Sequence, residues 1–110
     1  MDKDTVINAI RFLEQRLIKS GLNVSKIILF GSHAREQANE ESDVDIIIIS
    51  EDFQDKDIFE RCEMTKEAEV MTIREFLIPI DIITMTPQEF EDETSLIAVY
   101  AKNGMVISST

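Results

Sequence analysis

The sequence predicts an α+β domain in which helices alternate with short strands. Three observations carry that expectation. Apolar runs of strand length occur at 27–30 (IILF), 46–49 (IIII) and 78–84 (IPIDIIT), too short for buried helices and rich in β-branched residues. Apolar residues recur at helical spacing over 4–20. Thr86-Pro87-Gln88-Glu89 has the chemistry of a helix start, with Thr86 as N-cap, Pro87 at the first helical position and Glu89 closing a capping box. The 110 residues suffice for one domain, taken as 1–110.

The first helix is expected over 4–20, with Asp4 or Thr5 as N-cap. Val6, Ile10, Phe12, Leu13 and Leu17 form its apolar stripe, which Ile7, Ala9 and Ile18 widen, and Gly21 stops it. The first strand follows at 24–30, then Gly31-Ser32 and a short helix at about 32–37. A polar stretch, 39–42, leads to the second strand at 44–50. Asp57 caps a long segment over 57–76 whose stripe, Ile58, Phe59, Cys62, Thr65, Ala68, Met71 and Phe76, is loose enough to suggest a break near 65–69. Pro79 ends that helix, because the residue before proline is pushed out of the helical region. The third strand is expected at 78–84, a short helix from Pro87 to about Glu91, a last helix at 96–102 stopped by Asn103-Gly104, and a small edge strand at 105–107.

Composition narrows the function classes. Acidic residues outnumber basic ones 22 to 11, a net charge of −11, which repels polyanions, so direct nucleic-acid binding and anionic membranes are disfavoured. A metal-complexed nucleoside triphosphate or a basic protein is a better match. No apolar run approaches the length of a membrane span, and the first residues, MDKDTV, lack the pattern of a signal peptide. The single cysteine, Cys62, has no partner for an internal disulfide and no zinc-site context, and reads as an interior-facing helix residue. A cytoplasmic protein is expected.

The chemistry concentrates between Ile27 and Ser50. Alternation along the second strand places Asp43, Asp45, Ile47 and Ile49 on one face and Val44, Ile46 and Ile48 on the other. Two carboxylates on one face repel, and a hard divalent cation such as Mg2+ between them reverses that cost. Gly31 permits close backbone approach after a strand. Ser32 can cap a helix whose first amide groups then meet a phosphate. Arg35 can reach a phosphate or an aspartate, or pair on the surface with Glu36 or Glu40. His33, the only histidine, fits an exposed helix position or a nucleotide contact. In the third strand alternation sets Asp81 with Ile83, against Ile78, Ile80 and Ile82. If that strand lies beside the second, Asp81 faces Asp43 and Asp45, and three carboxylates surround one metal site; otherwise it is an edge-strand aspartate in water.

Gly31-Ser32, a polar spacer, Ser42-Asp43-Val44-Asp45 entering a hydrophobic strand, and a lone aspartate in a later strand together resemble the DNA polymerase beta-like nucleotidyltransferases, and at this length the minimal nucleotidyltransferases of bacteria and archaea. The resemblance covers about residues 27–91. It implies a small mixed sheet of three to four strands with helices mainly on one face. It implies that Gly31 and Ser32 hold the triphosphate and that Asp43, Asp45 and Asp81 are catalytic residues and Mg2+ ligands; Arg35 joins the nucleotide-binding candidates on its own chemistry, as a cation able to reach a phosphate. It also implies AMP transfer from ATP to a hydroxyl, typically a tyrosine of a HEPN-domain toxin, the chain acting as antitoxin. The alternative is a non-catalytic antitoxin that neutralises its partner by contact. Two positions depart from the family's GSRARG: the chain reads GSHARE, with His33 for an arginine and Glu36 for a glycine.

Overall fold

The structure, a computed structural model, describes residues 2–31, 43–92 and 104–109. Within them the chain runs α1 (Lys3–Lys19), β1 (Lys26–Phe30), β2 (Val44–Ile49), a 3-10 turn (Glu51–Phe53), α2 (Ile58–Phe76), β3 (Ile80–Met85), α3 (Pro87–Glu91) and β4 (Met105–Ser109). The strands form one sheet in the order β3-β2-β1-β4. β1 is antiparallel to β2 and to β4, while β2 and β3 are parallel, so the sheet is mixed. The parallel pair needs a crossover, and α2 provides it.

Four consecutive isoleucines in β2 follow from burial on both faces, which removes the need for polar alternation. Ile46 and Ile48, with Ile27 and Leu29 of β1 and Ile80 and Ile82 of β3, meet Val6, Ile10, Leu13 and Leu17 of α1 and Ala68 of α2. Ile47 and Ile49 turn the other way, into a smaller cluster with Ile28, Met85 and Phe90. The helix-bearing face thus holds the main core. The opposite face is closed in part by Phe90 of α3.

The helix starts show where local chemistry governs. Thr86 accepts from the Glu89 backbone N–H at 3.1 Å, and Glu89 accepts from the Thr86 N–H at 2.8 Å, the expected capping box with Pro87 next to the cap. Asp57 and Glu60 form the same reciprocal pair at the start of α2. The N-cap of α1 is Asp2, not Asp4 or Thr5: its carboxylate accepts from both the Thr5 N–H and the Thr5 hydroxyl.

Other expectations need correction. α2 is continuous, with no break near 65–69. Its stripe reads as loose because two buried positions are threonines. The Thr72 hydroxyl donates to the Ala68 carbonyl at 2.7 Å and the Thr65 hydroxyl to Cys62 at 3.3 Å, so both are buried at little polar cost. Ile58, Phe59 and Cys62 are exposed, not interior, because α2 presents Thr65, Ala68 and Thr72 to the core. β3 starts at Ile80, leaving Ile78 as a buried residue ahead of it. The expected edge strand at the C-terminal end exists as β4. The expected helices at 32–37 and 96–102 lie outside the described residues.

Candidate active site

β1 and β2 are antiparallel and β2 and β3 parallel, so the C-terminal end of β1 and the N-terminal ends of β2 and β3 meet at one end of the sheet. Every described residue singled out from sequence sits there. Register pairs Val44 with Ile80 and Asp45 with Asp81. The Val44 N–H donates to the Pro79 carbonyl at 2.9 Å, which ties the two strand starts together. Phe30 is the register partner of Asp45 on the other side.

Asp45 and Asp81 share the face occupied further along by Ile47 and Ile83, opposite α1 and α2. Neighbouring strands lie about 4.8 Å apart, so two carboxylates stand abreast there. Asp45 is half-buried, while Asp81 and Asp43 are exposed. Asp43 is the residue before β2.

Gly31 completes the arrangement. Its φ is +74°, and a Cβ at this position would collide with the Asp45 carboxylate. The left-handed backbone favours glycine, and that backbone lies directly against an acidic side chain, which an added Cβ would displace. Ser32 and Arg35, the other expected phosphate contacts, and His33 and Glu36 lie outside the described residues.

A fourth carboxylate, which the sequence did not flag, feels the charge of Asp81. Burial pushes the Glu69 carboxyl of α2 up from its ordinary value, and the negative charge of Asp81 pushes it the same way. Only packing reveals it, since Glu69 is far from Asp81 in sequence and sits on a different element. Among the described residues no three histidine, cysteine, aspartate or glutamate side chains are gathered closely enough to hold a metal ion. What the strands bring together is the pair Asp45 and Asp81. Two hard oxygen donors suit Mg2+, which usually takes one or two carboxylates and completes its shell with water and substrate phosphate oxygens.

The far end of the sheet has different chemistry. Beyond the C-terminal ends of β2 and β3, a cleft is lined by Glu51, Gln54, Pro87, Gln88, Glu91 and Asp92. Among the described residues, that lining carries no basic group to meet a phosphate. Nearby, Arg61 donates to Glu89 at 2.7 Å and lies 5.8 Å from the Phe53 ring centroid, a structural tie between α2 and α3. No described helix is long and apolar enough to cross a membrane.

Comparison with known proteins bears on the family and the fold. The family model described as "Nucleotidyltransferase domain" matches residues 6–107. A candidate nucleotidyltransferase from Sulfolobus solfataricus has a similar structure, with a TM-score of 0.62, 20% identity, and coverage of 99% of this chain and 90% of that one. Two toxin-antitoxin structures are also similar. One, solved with AMP-PNP, has a TM-score of 0.58 and 17% identity. The other, a mutant of the toxin-antitoxin MntA-HpeT, has a TM-score of 0.57 and 15% identity. Each covers 100% of this chain and 75% of the other. At these identities the likeness speaks for the fold. No curated protein matches the sequence.

Proposed function

Because this chain belongs to the nucleotidyltransferase domain family, we propose that it transfers a nucleoside monophosphate, AMP from ATP, to a hydroxyl of a partner protein, a tyrosine of a HEPN-domain toxin, and so acts as an antitoxin in the cytoplasm. One observation carries the reading: Asp45 and Asp81 are abreast on adjacent parallel strands, with the Gly31 backbone against Asp45.

In this reading Asp43, Asp45 and Asp81 hold Mg2+, which when bound stabilises charge on the attacking and leaving oxygens. Gly31 brings backbone close to the triphosphate, with Ser32 and Arg35 as further phosphate contacts. The acceptor oxygen attacks the α-phosphorus in line, the bond to the β-phosphate bridging oxygen breaks, and pyrophosphate leaves. The proton of the acceptor hydroxyl passes to a carboxylate oxygen of Asp81, the more exposed of the register pair. The protein chiefly positions groups and offsets charge. Two fold relatives are toxin-antitoxin structures, one of them with the ATP analogue AMP-PNP, which supports both the nucleotide and the kind of partner.

The second reading, a binding module that neutralises its partner without turnover, draws on the absence of a three-donor group among the described residues and on Glu36, which adds negative charge where the family has glycine. One experiment separates the two. The chain is incubated with ATP labelled at the α-phosphate and Mg2+, with and without the protein encoded beside it. Label on the partner that disappears with Asp45→Asn establishes transfer. A stable complex without label rejects transfer in favour of the binding module.

A further inference from the structure

We infer that α2 is the contact helix of a two-fold homodimer, pairing antiparallel with α2 of a second copy of this chain. The observation is an outward face that the monomer leaves uncovered although it carries large apolar side chains. Phe59 is 78% exposed, Val70 37% and Leu77 85%. Phe59, Lys66 and Ile73 recur at seven-residue intervals, and so do Glu63, Val70 and Leu77. Seven residues are close to two helical turns, so the two sets run as adjacent rows along one side of the helix. Thr65, Ala68 and Thr72 occupy the opposite side, against the core.

Leu77 sharpens the point. It ends α2 in the left-handed conformation, φ 55° and ψ 41°, where glycine or asparagine is the usual choice. A leucine there adds backbone strain to the exposure of a large apolar side chain. Both costs are offset if a second molecule covers it.

The pattern of the stripe selects the occupant. Phe59 and Leu77 lie equidistant from Ala68, and Glu63 and Arg74 lie equidistant from the point between Ala68 and Glu69. A two-fold axis across the middle of the helix therefore sets Phe59 on the partner's Leu77 and Glu63 on the partner's Arg74, each contact occurring twice, as an isologous interface requires. The chain as a whole carries −11, which opposes self-association, but the stripe itself holds Lys66 against Glu63, and Arg74 lies in the row beside it. The acids beside it are engaged within the monomer: Glu67 pairs with Arg16 at 3.2 Å, and Glu60 closes the capping box with Asp57. A dimer through this face leaves the Asp45–Asp81 end of the sheet, on the face opposite α2, open to substrate.

The test is sedimentation equilibrium of the full chain. The wild type is expected to dimerise, and Phe59→Asp to raise the dissociation constant by about tenfold or more. Glu63→Arg alone and Arg74→Glu alone each weaken the dimer, and the double variant recovers it. Within one monomer these side chains are three turns apart and do not meet, so recovery requires the crossed contact. Circular dichroism checks that each variant is folded. A wild type that stays monomeric at about 100 μM, a dimer indifferent to Phe59→Asp, or a double variant that does not recover would each overturn the inference. A monomeric wild type whose complex with the protein encoded beside it is lost in Phe59→Asp would overturn it too, and would assign the stripe to that other protein.

Discussion

Asp45 and Asp81 are register partners across the parallel β2–β3 pair, 36 positions apart in sequence and abreast on one face of the sheet. Like charges at that separation are destabilising unless something between them is positive.

Neutralising either member separates the two roles. Asp45→Asn and Asp81→Asn are expected to lower nucleotidyl transfer by about a thousandfold, the loss of several kcal/mol of transition-state charge stabilisation. Without metal, Asp81→Asn is expected to melt at or slightly above the wild-type temperature, since repulsion from Asp45 is relieved. Asp43→Asn should also abolish transfer. Transfer assays and thermal melts in chelator check both halves.

Gly31 and Gly21 make a controlled comparison. Both have positive φ, +74° and +97°, but an added Cβ finds open space at Gly21 and the Asp45 carboxylate at Gly31. Gly21→Ala is expected to cost about 1–2 kcal/mol from backbone strain and to leave transfer per folded molecule unchanged. Gly31→Ala is expected to cost more and to reduce transfer as well, because Asp45 has to move. Denaturant unfolding and single-turnover assays distinguish them.

Glu69 predicts a pH dependence. Its carboxyl is raised in the folded state by burial and by Asp81, so its charged form is the less favourable one once the chain folds. The resulting destabilisation is present at neutral pH and disappears as pH falls through the raised value and then below the ordinary value of 4.5. Glu69→Gln should therefore stabilise the metal-free protein at pH 7, by less than about 1 kcal/mol given how much water the side chain keeps. The gain should vanish in acid. Melting curves of both proteins across pH, in chelator, measure it.

Glu89 runs the other way. Burial raises its carboxyl, but the Thr86 backbone N–H and the Arg61 guanidinium together outweigh burial and leave it below the ordinary value. Its stabilising contribution is full above the unfolded value of 4.5 and is lost as pH falls through the lower folded value. Glu89→Gln is expected to lose stability at pH 7, modestly because the Glu89 side chain keeps about half of its surface in water, and to match the wild type at low pH. An acid titration of the unfolding free energy checks the convergence.

Much of this was present in local chemistry. The isoleucine run of β2, the capping boxes at Asp57 and Thr86, and the alternation that sets Asp81 with Ile83 are short-range properties. Steric preference, hydrogen-bond satisfaction and strand periodicity act within a few residues, so the sequence by itself determined these elements and the faces their side chains take. The break expected in α2 failed for a reason of the same kind: buried threonines hide a core face from any reading by hydropathy, although their hydroxyls are satisfied by the helix itself.

What only the tertiary structure decided is who stands beside whom. Strand order and register depend on long-range packing, and a slip of one residue would turn Asp81 to the helix side of the sheet. Register alone makes Asp45 and Asp81 a pair. The packing of α2 against the sheet places Glu69 where the charge of Asp81 raises its carboxyl, and the turn at Gly31 presses its backbone on Asp45. The exposure of Phe59 and Leu77 was equally out of reach of the sequence, because which side of a helix meets the core is set by what packs against it.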